Sequence, residues 1–345
     1  MKKAGLFAGL AATAAILCCP GTAVDAAQQA MRLWFEAVAP ALFPILALMP
    51  LLTSPEACAA YESMFAPLMR PLFRLPGTAA PAMVIGMISG SPGGAMSLVR
   101  MAAETGMKKS ELRRMAPVIC GVGPAYLIAG VGAGLFGSRK MGVQLALIQL
   151  GVQLALLFAM RFVQDEGEEI TISGEFAPEK GAVRGAVEAV LGVCGYMVLF
   201  SVIAAVAAQL LGGSAGKLIL LAADLPSGMA MLAEWETGAR NLLAGAAVGF
   251  GGICIAVQNL DVLRSLGVTW KDFFSVKLVQ AGLCGALAGF ILEKNTTEMT
   301  GAAATSKFYY ALSLLAALIL CLPVLNSLSK KLFLNKTEFG KISTH

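Results

Sequence analysis

Histidine and charge are what this sequence has least of. Its 345 residues contain one histidine, His345. That leaves nothing for histidine-based nucleophilic triads, haem ligation or most zinc sites. Charged residues make up 14% of the chain against 57% hydrophobic ones, and the mean hydropathy is +0.76, which excludes an ordinary soluble domain. No CxxC occurs among the eight cysteines. Cys18, Cys19, Cys120, Cys194, Cys254, Cys284 and Cys321 lie inside apolar runs and Cys58 stands alone, so they read as small buried residues rather than a disulfide or metal set. The expectation is a non-enzyme with no cofactor and no metal. The basic cluster Lys108, Lys109, Arg113 and Arg114 reads as a membrane-topology signal, with no nucleic acid as partner.

What is present in quantity is long apolar sequence. Runs at about 31–53, 115–137, 141–162, 185–211, 241–259, 273–292 and 308–327 match the ~17–25 residues that a hydrocarbon core of ~30 Å requires. The shorter run 4–19 follows Lys2 and Lys3, and is either a signal peptide or an uncleaved first helix joined to the next by a short hairpin. Two more apolar segments are broken at their centres: 77–99 at SGSPGG (89–94) and 218–237 at LPSGM (225–229). If both enter the membrane and return on the same side, eight crossings with both termini cytoplasmic place 19 of the 26 basic residues in cytoplasmic segments, Lys277 among them.

The predicted fold is therefore an all-α polytopic membrane protein, with about eight transmembrane helices and two broken, re-entrant hairpins. The divisions are an N-terminal helix and hairpin (1–30), a first half (31–163), an acidic cytoplasmic linker (164–182), a second half (183–293), and a C-terminal helix with a basic tail (294–345). The halves correspond in order: long helix, broken segment, glycine-rich stretch (GVGPAYLIAG at 121–130, GFGGICIAVQ at 249–258), long helix. One half begins outside and the other inside, so they form inverted repeats, an arrangement that places transporter sites where broken helices meet.

Unpaired backbone groups cost several kcal/mol each in lipid, so a helix breaks at membrane depth only against protein or a wet cavity. Ser89, Gly90, Ser91, Gly93 and Gly94 therefore read either as an anion cradle of freed amides and a helix N-terminus, or as a surface for tight helix crossing. The candidate substrate-binding set adds Gly123, Tyr126, Ser227, Gly228, Gly251 and Gln258; Tyr126 could stack on an aromatic ligand or line a helix interface. Glu234, in EWETGARN, is the candidate coupling or gating group, or else an interfacial anchor against Arg240.

WFEAVAPALFPILALMPLL (34–52), SGSPGGAMS (89–97), GVGPAYLIAGVG (121–132), the Glu234-to-Gly238 spacing and FGGICIAVQ (250–258), in this order, resemble the YlbJ/SpoVV family of sporulation integral membrane proteins, which belongs with the nucleoside-recognition, or Gate, domain proteins. The resemblance spans residues 30–295. It implies a transporter in a bacterial cell membrane, the outer forespore membrane included, that moves dipicolinic acid out of the mother cell. Its partners are then a small anionic substrate and the lipid bilayer, with a homo-oligomer left open. A nucleoside or base carrier and a non-transporting scaffold are the rival readings. The chain departs from the family pattern at Ser91, where an aromatic is usual, at Met96, where a basic residue is usual, and near Gly121 and Ala256, where Asn and His are usual. Those losses remove polar and basic groups that a dianion would use, and fit a paralogue with another substrate.

Overall fold

A computed structural model describes residues 2–105, 107–162 and 181–294. Their regular structure is all helix, with no β-strand among them. Almost all of the acidic linker, the run 308–327 and the basic tail lie outside the described residues.

Helix α1 (Lys2–Cys18) stops at Cys19, and α2 (Pro20–Leu33) begins on a proline in its first turn, where the missing N–H costs no bond. Residues 20–30 were expected to form a short hairpin and instead are helical. Their composition explains it: after Gly21, TAVDAAQQ contains no breaker. α2 continues through a π-helical turn (Trp34–Val38) into α3 (Ala39–Leu52), giving one helical rod of 33 residues. α4 (Pro55–Phe73) is capped by Ser54, whose Oγ accepts from the Ala57 amide at 3.3 Å, and turns Cys58, Met69 and Phe73 inward.

α5 (Ala79–Ser89) and α6 (Gly93–Thr105) flank SGSPGG and fold back on each other, because a Cβ on Gly86 would stand 3.1 Å from Cα of Gly94. α7 (Lys109–Ile119) then ends in an extended stretch, followed by a π-helix (Tyr126–Leu135) and the long α8 (Arg139–Met160). The second half follows the same order except that α4 has no counterpart in it. The long α9 (Ala182–Leu211) leads to α10 (Gly213–Ala223) and α11 (Leu225–Leu232), a second tight hairpin in which a Cβ on Gly228 would lie 2.6 Å from Cα of Leu221. α12 (Thr237–Phe250) and α13 (Ile253–Leu263) are separated by Gly251 and Gly252, and α14 (Trp270–Lys294) closes the described chain.

Both segments are broken: the first within SGSPGG as expected, the second at Asp224, one residue ahead of LPSGM, which is itself helical because Asp224 caps it and Pro226 sits in its first turn. The runs 115–137 and 241–259, expected to cross as plain helices, are also interrupted, at residues 120–125 and 251–252. The cause is local. Pro117 and Pro124 bracket the first interruption and deny helix hydrogen bonds around it, while Gly251 (φ +84°) and Gly252 (φ +87°) adopt a left-handed backbone suited to glycine. Five stretches are long and apolar enough to cross a membrane, namely Pro20–Leu52, Arg139–Met160, Ala182–Leu211, Gly238–Leu266 and Trp270–Leu292, the fourth being the one interrupted at the glycine pair. These five are counted among the described residues, and one of the eight expected crossings, the run 308–327, lies outside them.

One core gathers Leu98, Met101, Leu112, Met115 and Phe273 around the first hairpin and α7. A second gathers Leu127, Leu145, Leu225, Met229 and Val248 around the π-helix, α8, α11 and α12. The interruptions lie between these two cores.

Candidate binding site

A cavity of about 220 Å³ opens where the π-helix meets the second hairpin. Its polar lining is Gln29 from α2, Tyr126 from the start of the π-helix, Ser201 from α9, and Asp224 and Ser227 from the α10–α11 break. Leu33, Met197 and Pro226 supply apolar wall. The volume suits a molecule of one or two small rings rather than a macromolecule.

Asp224 is the charged centre of this site and is 2% exposed. It stands at the N-cap of α11: its Oδ2 accepts from the Ser227 amide at 3.2 Å and from the Ser227 hydroxyl, and the Ser201 hydroxyl bonds to the same carboxyl. The sequence Asp-Leu-Pro-Ser dictates the geometry, since Asp is a preferred cap and the proline that follows sits in the first turn. The carboxyl thereby anchors the hairpin and also faces the cavity.

Of the residues expected to bind substrate, Tyr126 and Ser227 line the cavity. The SGSPGG residues do not. Ser89 Oγ donates to the Ile85 carbonyl at 2.7 Å, and the Ser91 amide donates to the Gly121 carbonyl at 2.9 Å. Gly90 (φ +72°) is pressed against the first interruption, where a Cβ would lie 2.4 Å from the Gly123 nitrogen. A Cβ on Gly94 would lie 3.1 Å from the Ile119 carbonyl oxygen, and one on Gly93 would strike Ser89 Oγ. The space beside Gly90 and Gly94 is filled by backbone and that beside Gly93 by the Ser89 side chain, which is close packing. Gly123 belongs to the same contact, Gly228 packs on Leu221, Gly251 forms the C-cap of α12, and Gln258 is buried on α13. Glu234 sits exposed in the turn after α11, away from the cavity lining.

Two sets of buried polar side chains escaped the sequence reading. Asp224 is one, although it meets the criterion applied to Glu234, an acid within an apolar run, and also precedes a Pro-Ser helix start. The other set holds the first interruption. Gln149 on α8 brackets Val122, accepting from its amide at 3.2 Å and donating to its carbonyl at 2.7 Å, and Gln153 Nε2 donates to the Val118 carbonyl at 2.8 Å. Gln149 and Gln153 lie four residues apart on one face of an apolar helix, a spacing that marks a shared partner. Lys277, counted above as a cytoplasmic loop charge, is instead buried within α14, where its ammonium donates to the Cys120 carbonyl. Charge counting took it for a loop residue although it stands inside the apolar run 273–292. From α13, Asn259 Nδ2 donates to Ser91 Oγ at 2.8 Å, linking the second half to the first break.

Long apolar helices, two broken hairpins and two interrupted apolar runs among the described residues define an integral membrane protein. No family model matches the chain, and no solved structure matches it. Among curated proteins it is similar to the sporulation integral membrane protein YlbJ of Bacillus subtilis (strain 168), at 25% identity over 328 residues, covering 82% of this chain and 80% of that protein. The likeness supports the assignment to the YlbJ family that the five motifs point to.

Proposed function

We propose that the protein is a carrier for a small polar solute, bound in the cavity between Tyr126 and Asp224 and exposed to each side of the membrane in turn. The observation that carries this reading is the cavity itself. A buried carboxyl, two serine hydroxyls, an amide and a phenol converge where interrupted helices meet, the place at which carriers built from repeats hold their substrates. The repeated element order supports an inverted-repeat architecture and alternating access. Likeness to a sporulation protein makes dipicolinate the first ligand to test, and the outer forespore membrane the corresponding location.

A nucleoside or base carrier is the second reading, and Asp224 favours it. No basic side chain lines the cavity, whereas a carboxylate accepts hydrogen bonds from sugar hydroxyls or a base N–H. One substitution separates the two. Asp224→Asn removes a like charge from a dianion's site, so dipicolinate binding to the purified protein is retained or tightened. For a nucleoside the same change removes a charged acceptor worth about 1.5–3 kcal/mol, a loss of roughly tenfold or more in affinity. The measurement is thermal stabilisation by a panel containing dipicolinate and nucleosides, followed by uptake into proteoliposomes. A panel in which nothing stabilises the protein and nothing is taken up removes the carrier reading and leaves a scaffold.

A further inference from the structure

The ammonium of Lys277 is 1% exposed and has no acidic partner among the described residues. What surrounds it is a set of neutral oxygens and a ring. Its Nζ donates to the carbonyl of Cys120, the C-cap residue of α7, and to Gln280 Oε1 at 3.1 Å, and it lies 5.8 Å from the ring centroid of Phe273. The thiols of Cys120 and Cys284 also face it, and α8 brings the amides of Gln149 and Gln153 to the same interruption. The ion pair Arg113–Asp272, at 2.8 Å, lies at the first turn of α14, where Asp272 also accepts from the amide and hydroxyl of Thr269. A helix C-terminus carries about half a negative charge, and unwound carbonyls at such an end are the ligands that interrupted-helix carriers offer to a coupling sodium ion.

We infer that the ammonium of Lys277 is a built-in cation at the broken end of α7, standing where a carrier of this architecture would otherwise bind a coupling metal ion, so that the protein needs no sodium or potassium at this interruption. Carbonyl oxygen, amide oxygen and an aromatic face are suitable partners for either kind of cation, and a tether on α14 makes one of them permanent. The inference deepens the carrier reading and rests on it for the word coupling. Its test, however, reads stability and does not require a known substrate.

The purified full-length protein is heated in sodium, potassium or choline chloride at equal ionic strength. The expected result is the same melting temperature in all three; a sodium- or potassium-specific rise of several degrees overturns the inference. Lys277→Ala opens space beside the Cys120 carbonyl and is expected to melt several degrees lower, with methylammonium or sodium restoring part of the loss saturably and leaving the wild type unmoved. Lys277→Met, which keeps the length and loses the charge, is expected to stay destabilised whatever is added. A methionine variant as stable as the wild type, or an alanine variant that no cation restores, overturns the inference. Should neither variant fold, the wild-type comparison decides it. Failure of every ligand to bind would remove the carrier reading and leave these melting results standing.

Discussion

At residues 120–125 the chain leaves its helix among two buried amides and an ammonium, whereas at Gly251 and Gly252 it leaves between two glycines with no side chain bonded to their backbone among the described residues. The two interruptions occupy matching places in the two halves, yet they are made by different physics. The first is a break whose backbone groups are held: Val118, Cys120 and Val122 find partners on α8 and α14. The second rests on conformational freedom and lies beside the α10–α11 break, where a Cβ on Gly252 would come 3.3 Å from the Leu225 nitrogen, one residue from Asp224. A pinned interruption fixes one wall of the cavity through Tyr126. The opposite wall is held by the Asp224 cap of α11 and not by the glycine pair.

The strongest way to break the comparison is at Gln149. Gln149→Leu leaves the Val122 amide and carbonyl buried without their partner, and at about 1–3 kcal/mol per group the expected loss is several kcal/mol, read as a large drop in melting temperature or in folded yield. A small effect would mean that the first interruption is no better held than the second. Next come the glycines. Gly90→Ala and Gly251→Ala both force a left-handed alanine, costing about 1–2 kcal/mol, but only the first also drives a Cβ into the backbone of Gly123. At Gly251 the nearest atom is 3.6 Å away. Gly90→Ala should therefore melt well below Gly251→Ala. Amide exchange sharpens the contrast without any substitution: peptides covering 118–123 are expected to exchange more slowly than those covering 250–254.

The smallest effect lies outside the site, at the turn from α4 to α5. Burial alone would raise the Glu62 carboxyl, but hydrogen bonds from Arg70 and from the amides of Thr78 and Gly77 outweigh it and hold Glu62 below the ordinary carboxylate range. Its contribution is complete above that ordinary value and disappears as pH falls through the lowered one. The difference in melting temperature between wild type and Glu62→Gln should accordingly shrink on acidification. Arg70 is 69% exposed, so the gap is under about 1 kcal/mol at neutral pH.

Much of this was legible from spacing and composition. The helical class, the two hairpins at SGSPGG and beside LPSGM, and the parallel order of the halves all follow from run length and breakers, which act locally. The interruptions at 120–125 and 251–252 were harder to see because Gly and Pro are common in membrane helices and the flanking hydropathy does not change. Tyr126, singled out beside Pro124, and Ser227, within LPSGM, both line the cavity. Asp224 was passed over for Glu234, which has the same charge and the opposite exposure, and hydropathy cannot tell a cap facing inward from a turn facing water. Lys277 shows the same limit. A positive charge near the end of an apolar run is counted as a loop residue, and only the oxygens it meets from another helix reveal it as buried.

The rod from Pro20 to Leu52 and the neighbouring α9 pack along each other through Ala23, Leu42 and Leu46 on one side and Val190, Val193, Val202 and Val206 on the other. At 1.5 Å per residue they measure about 50 and 45 Å, against an oil layer of about 30 Å. A pair that long cannot stand upright within the layer, so it leans or projects. Gln29 and Ser201 hang from this pair, so two of the cavity's polar groups ride on helices longer than the oil layer is thick.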